Sequence, residues 1–195
     1  MTFSVKHDLD RLERKLYGFE KTLMKKAAPQ ALNRTMKTVN SRVVKAISSE
    51  TNIKQKDVRA SLDISKASVR SLRSILNSRR GKARNLIHFV SPSQRNVHTF
   101  RKRVKKGFKY PGVKAKAWGK SKVYEGTFIG VGRGGNMRVF RRTSAARLPI
   151  ESVYGPSPRR MFDSPKIVRV MKIAVAERFP IELNAAINNQ IRRMK

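Results

Sequence analysis

Residues able to do bond-making chemistry are sparse in this 195-residue chain, and their spacing does not assemble them. The histidines are His7, His88 and His98, far apart and without a His-x-x-x-His metal-ligand interval. His88 sits inside the apolar run Leu86–Val90 and is read as structural. The 12 Asp and Glu residues include one Asp-x-Asp pair, Asp8 and Asp10, but show no recognisable motif for general acid–base work or metal binding. Cysteine is absent, so there is no thiolate nucleophile, zinc thiolate or disulfide framework. Gly130-Val131-Gly132-Arg133-Gly134-Gly135 formally contains G-x-G-x-x-G. A dinucleotide loop must follow a strand and open a helix, because the helix N-terminus holds the pyrophosphate. Here the strand-forming stretch Met137–Phe140 follows, so a flexible hairpin is predicted, with Arg133 at its tip. These residues predict no catalytic, metal or cofactor site and no enzyme.

What the chain does carry is positive charge: 46 Lys and Arg against 12 acids, a formal net charge of +34. Self-repulsion on that scale opposes compaction and calls for a polyanionic partner. Residues 64–150 hold 23 of these cations against one acid, Glu125. The densest run is Arg101, Lys102, Arg103, Lys105, Lys106 and Lys109, flanked by Phe100, Phe108 and Tyr110. Aromatics among cations can stack on bases, and cations alone can follow phosphates without reading sequence. We therefore assign nucleic-acid contact first to that run, then to Arg138, Arg141 and Arg142, with Arg133 as a point contact. No helix-turn-helix, zinc-finger or RRM signature is present, so any such binding is expected to ignore sequence and to depend steeply on salt.

The elements that would position these groups follow from periodicity. Leu9, Leu12, Leu16, Phe19 and Leu23, then Ala28, Leu32, Met36, Val39, Val43 and Ile47, recur at helical spacing over residues 8–48. Pro29 predicts a kink or break near residue 28. A second helical unit is expected over residues 50–61, capped by Thr51 or Asn52 and packing through Ile53, Val58 and Leu62. Residues 62–143 show short apolar runs between turn residues, the pattern of an antiparallel meander of about four to six strands. Leu148, Pro149, Ile150, Tyr154, Gly155 and Pro156 then form a junction, read as a rigid turn or a subunit contact. A last helical region opens with Ser164 as N-cap and Pro165 in the first turn, and Pro180 is expected to kink or break it. The fold expected is α+β, a single domain over residues 1–195 with an N-terminal helical region (8–61), a basic β region (62–156) and a C-terminal helical region (157–195). The first residues lack the apolar core of a secretory signal, and no apolar run reaches about 18 residues, so no membrane span is expected.

Three ordered blocks carry a family likeness. They are Ala31-Leu32-Asn33-Arg34-Thr35 with Glu50 to Arg59, then Leu148-Pro149-Ile150-Glu151 with Val153 to Ser157 and Met161-Phe162, then Arg178 to Leu183. In order and spacing they resemble the minor tail protein Z family of tailed phages and prophages. The resemblance implies a structural, non-enzymatic tail-completion protein at the head-proximal end of the tail, making it competent for head joining. It implies a virion tail or neck location after assembly in the host cytoplasm. It also implies a homo-oligomeric, six-fold ring and neighbours such as the tail terminator, tail tube and head–tail connector, with genomic DNA as a further contact. Two readings of other classes compete: a free, non-sequence-specific nucleic-acid-binding protein of ribosomal or nucleoid type, and a phosphate-handling enzyme such as a nuclease.

Overall fold

The apolar stripe of the N-terminal half folds as one 31-residue helix, α1 (Lys21–Thr51), in a computed structural model that describes residues 2–4, 21–79, 83–97, 112–132, 134–144, 146 and 148–194. The expected helix positions Leu9, Leu12, Leu16 and Phe19 lie outside the described residues. After α1 come α2 (Gln55–Ser61), a 3-10 helix (Leu86–Phe89), α3 (Pro92–Val97), α4 (Pro158–Phe162) and α5 (Pro165–Met194). The strands are β1 (Thr2–Ser4), β2 (Leu62–Ser65), β3 (Ile75–Ser78), β4 (Val113–Trp118), β5 (Lys120–Tyr124), β6 (Thr127–Val131), β7 (Met137–Arg142) and β8 (Ile150–Ser152). The architecture is α+β. Six strands lie in the stretch where four to six were expected, but they do not form one meander. The described strands make three small antiparallel sheets, ordered β1-β3-β2, β4-β5 and β6-β7-β8. The chain divides into a helical unit (residues 1–47, 55–80 and 158–195) and a strand-rich unit (48–54 and 81–157).

In the helical unit, α1 buries Ala27, Ala28, Ala31, Leu32, Met36, Val39, Val43 and Ile47, and α5 buries Ile167, Met171, Ala174, Phe179, Leu183 and Ala186. Both series recur mostly at intervals of three and four residues, and α5 also buries Val175 between Met171 and Phe179, which keeps each series on one helix face. Arg42 Nη1 lies 2.6 Å from Glu177 Oε2 and Arg34 Nη1 lies 3.9 Å from Glu182 Oε2, so the two helices are tied in an antiparallel sense. Asn33, in the first of the family-like blocks, donates to Ala67 O at 2.9 Å and accepts from Ala67 N at 2.8 Å. One amide thereby closes both backbone groups of a residue 34 positions away. Arg159 ties α4 to the β3 edge by donating to Ser78 O at 2.9 Å.

Neither proline ends its helix. Pro29 is buried inside α1 and Pro180 lies exposed inside α5. A proline in a helix interior costs about 3 kcal/mol through one lost hydrogen bond and a clash. Burial of the apolar side chains on both sides of each proline outweighs that cost, at roughly 1.5–3 kcal/mol for each large one. The residue-50 start expected for the second helical unit is also corrected. Glu50 and Thr51 finish α1, Asn52 takes a left-handed conformation (φ 53°) with its N–H on Ser48 O at 2.8 Å, and α2 begins at Gln55. Asn tolerates that conformation better than other non-glycine residues, which suits it to ending a helix. Ser164 sits in the N-cap position, its carbonyl accepting from Val168 N at 3.0 Å, but its hydroxyl is buried without a partner and caps nothing.

In the strand-rich unit the run expected as an apolar strand at residues 86–90 is instead the 3-10 helix. Leu86, Ile87 and Phe89 turn inward and His88 is exposed. Asn85 supplies the reason: its Oδ1 accepts from Ile87 N at 3.1 Å, starting the turn. Around it the core is Val113, Ala115 and Ala117 from β4, Ile129 from β6 and Val139 and Phe140 from β7.

Candidate functional site

The G-x-G run resolves first, because it decides what the basic strand β7 can present. Residues 134–136 form the β6–β7 hairpin turn, with Gly134 (φ 91°) and Gly135 (φ 76°) in conformations that L side chains rarely adopt. Gly130 and Gly132 make room for neighbours. A Cβ on Gly130 would stand 3.3 Å from Phe140 Cδ2, and one on Gly132 would stand 3.2 Å from Arg138 Cδ. The glycines therefore serve a hairpin and its packing. Arg133 lies outside the described residues, as do all six cations of the run from Arg101 to Lys109.

The three arginines of β7 do not share one surface. Arg138 and Arg142 alternate with Phe140 on one face, beside Phe128, whose register partner is Phe140. The two rings stand 6.0 Å apart, and the Arg142 guanidinium lies 5.2 Å from the Phe128 centroid. Such a stack holds the cation flat without neutralising it. Arg141 points to the opposite face and is paired in register with Glu151 of β8.

Arg138 reaches a cleft of about 910 Å³ that includes Arg84, Asn85, His88, Arg95, Asn136 and Tyr154 in its lining. Asn85 holds its walls together. Besides starting the 3-10 helix, Oδ1 accepts from Val139 N at 2.9 Å and Nδ2 donates to Val139 O at 3.3 Å. Leu86 N donates to Val153 O at 2.9 Å, and Gly155 N to Arg84 O at 2.8 Å. Arg95 donates to Ile87 O at 2.8 Å and Val90 O at 3.2 Å, satisfying carbonyls at the end of the 3-10 helix. The cleft thus gathers arginine side chains, amide donors and a phenol around one opening, an arrangement that suits an anion such as phosphate.

The junction faces outward. The Leu148–Pro149 peptide is cis, and Pro149 O accepts from Thr143 Oγ1 at 3.1 Å. A Cβ on Gly155 would stand 2.6 Å from the Phe89 ring, so only glycine fits there, and Pro156 is buried. Leu148 is 65% exposed and Tyr154 56% exposed, with Ile150 at the start of β8 also at the surface, so three large side chains face outward around β8.

These blocks have a counterpart among known families. The family model for prophage minor tail protein Z (GPZ) matches residues 8–195, nearly the whole chain. The chain belongs to the prophage minor tail protein Z family. Neither a search of curated proteins nor one of solved structures gave a match. Membership of the Z family makes this a structural protein of the phage tail. Among the described residues no helix is long and apolar enough to cross a membrane, and no three His, Asp or Glu side chains gather as metal ligands would. Of the residues singled out from the sequence, the fold brings Arg138 and Tyr154 to one cleft, turns Arg141 away, and leaves Leu148 just before β8 and Ile150 at its start. Arg84, Asn85 and Arg95 were not singled out from the sequence, and His88 was read there as structural. Their one signal was position: they lie within or beside the apolar run at residues 86–90.

Proposed function

We propose that this Z-family protein acts as a tail-completion protein at the head-proximal end of the tail. Its two units work as one tail-completion domain, and it forms a homo-oligomeric ring that makes the tail competent to join the filled head. Its neighbours there are the tail terminator, the tail tube and the head–tail connector. It assembles in the host cytoplasm and remains in the neck of the virion. The role is structural, without catalysis. The basic surface faces the genome, with Arg101, Lys102, Arg103, Lys105, Lys106 and Lys109 contacting phosphate first and Arg133, Arg138, Arg141 and Arg142 second. Leu148, Ile150 and Tyr154 meet the neighbouring protein, and Pro149, Gly155 and Pro156 hold them in place.

One observation carries this reading: the excess of cations is concentrated where the chain has almost no acids, with 23 Lys and Arg against Glu125 alone over residues 64–150. Folding does not require such an excess, and screening limits its reach to ~8 Å in physiological salt, so the polyanion must lie against it. The arginine-lined cleft supports the same reading.

The test is the mass of the protein in solution from 0.1 to 1 M salt, with and without tail tubes and short duplex DNA. A ring, either standing alone or formed on the tubes, is expected. Neutralising the six cations of the first group should reduce the salt slope of duplex binding by up to about 5 while leaving the ring intact. A monomer that binds duplex tightly and never associates with tails would overturn the tail-completion reading in favour of a free nucleic-acid-binding protein.

A further inference from the structure

The exposed side of the β4–β5 hairpin carries none of the residues assigned a role above. β4 alternates strictly: Val113, Ala115 and Ala117 are buried, while Lys114, Lys116 and Trp118 are exposed. Register pairs Lys114 with Val123 and Trp118 with Lys120, and cross-strand partners project to the same side. The exposed surface of the hairpin comprises Lys114, Lys116 and Trp118 of β4, with Lys120 as the register partner of Trp118 and Val123 as that of Lys114. Trp118 is 48% exposed and is the only tryptophan in the chain.

This face is held rigidly from behind. A register shift between Ala115 and Trp118 takes Lys116 O out of regular pairing, and Asn52 Nδ2 donates to that carbonyl at 2.8 Å. At the other end Thr127 Oγ1 accepts from Val113 N at 3.1 Å and donates to Tyr124 O at 2.5 Å. Gly112, at φ 116°, lets its backbone pass Tyr124 O where a Cβ would stand at 2.1 Å. The lysines, in contrast, have no ion-pair partner among the described residues, and the nearest acid in sequence, Glu125, sits beyond the strand end. Like charges side by side on a two-stranded ribbon oppose its folding, and nothing within the hairpin offsets them.

We propose that this face binds single-stranded nucleic acid, with the Trp118 indole stacked on an unpaired base and Lys114, Lys116 and Lys120 on the flanking phosphates. Alternate residues of a regular strand stand roughly 6.6 Å apart, which sets Lys114 beside Lys116, and Trp118 follows them across the register shift. A half-exposed flat ring among cations gains most from a base face that is not already stacked, and duplex interiors offer none. A protein partner fits less well. Interfaces between proteins are depleted in lysine, and this face has three lysines and no arginine. The proposal does not depend on the tail-completion role or on the cations at residues 101–109.

The single tryptophan makes the test direct. The full chain is titrated, at salt high enough to suppress loose electrostatic binding, with oligo(dT), with a duplex of equal length and with inorganic polyphosphate, while indole fluorescence is followed. Oligo(dT) should quench it, and duplex and polyphosphate should not. In a parallel anisotropy titration, Trp118→Ala should weaken oligo(dT) roughly 5- to 150-fold and leave duplex affinity unchanged. Lys114→Gln/Lys116→Gln/Lys120→Gln should lower the oligo(dT) salt slope by about 2. All four side chains are exposed, so these variants should keep the wild-type circular dichroism. Oligo(dT) binding without quenching, equal quenching by duplex or polyphosphate, or an unchanged affinity in Trp118→Ala would each overturn the proposal. A protein that never joins tails yet shows the selective quenching would sink the tail-completion reading and leave this one standing.

Discussion

The two units show two uses of charge. In the helical unit four arginines are answered: Arg42 by Glu177, Arg178 and Arg34 by Glu182, and Arg79 by Asp63. In the strand-rich unit, the lysines of β4 and β5 stand together with no ion-pair partner among the described residues. Paired surface charges add little to stability, on the order of 0–1 kcal/mol each, but they do no harm. Unpaired like charges on one ribbon do harm, so their presence points to a ligand outside the fold. The comparison separates charge that serves the structure from charge directed at a partner. It also requires that each unit be held together by something other than charge.

That requirement gives the largest expected effect. Phe179 on α5 is almost wholly buried, and Phe179→Ala should lower the stability of the helical unit by about 3–5 kcal/mol in urea unfolding, with little dependence on salt. In the strand-rich unit the counterpart is a polar clamp. Asn85→Ala removes three hydrogen bonds and leaves the β7 backbone at Val139 short of partners, at a cost of about 2–3 kcal/mol. Asn85→Asp keeps the two accepting bonds but sets a carboxylate oxygen against Val139 O where Nδ2 had donated, so it should cost at least about 1 kcal/mol by the same measurement. If both changes at Asn85 were silent, the claim that neutral groups hold this unit would fail.

How far the sequence disclosed all this depended on the range of the interactions. The helical faces of α1 and α5 were legible because their apolar residues recur every three or four positions, a local signal. Their continuity through Pro29 and Pro180 was not, because the penalty of a proline is local while the burial that outweighs it comes from the whole helix. A five-residue apolar run such as Leu86–Val90 has no period that tells strand from 3-10 helix. The partition into three sheets depends on pairings that no local pattern announces. Asn33 and Asn85 clamp backbone 34 and 54 residues away, so neither stands out by type or spacing. At the cleft, Arg138 and Tyr154 were legible as a cation on a strand and an aromatic on a Gly/Pro joint, whereas Arg84 and Arg95 acquire meaning only when the 3-10 helix folds between them.

The smallest effects are the most telling about the two units, because they differ in sign. Arg42→Gln removes one partner of a well-formed but exposed pair, so it should lower stability by no more than about 1 kcal/mol at low salt, and that loss should fade at 1 M. Lys114→Gln with Lys116→Gln removes repulsion that nothing in the hairpin offsets, so stability should stay level or rise by a few tenths of a kcal/mol at low salt, and this gain too should vanish at 1 M. Urea midpoints at the two salt concentrations measure both changes without adding ions of their own. Opposite signs at low salt that converge at high salt would confirm that charge in the helical unit serves the fold and charge on the hairpin does not. A loss of stability in the lysine variant would mean that those side chains support the ribbon, and the distinction between the units would collapse.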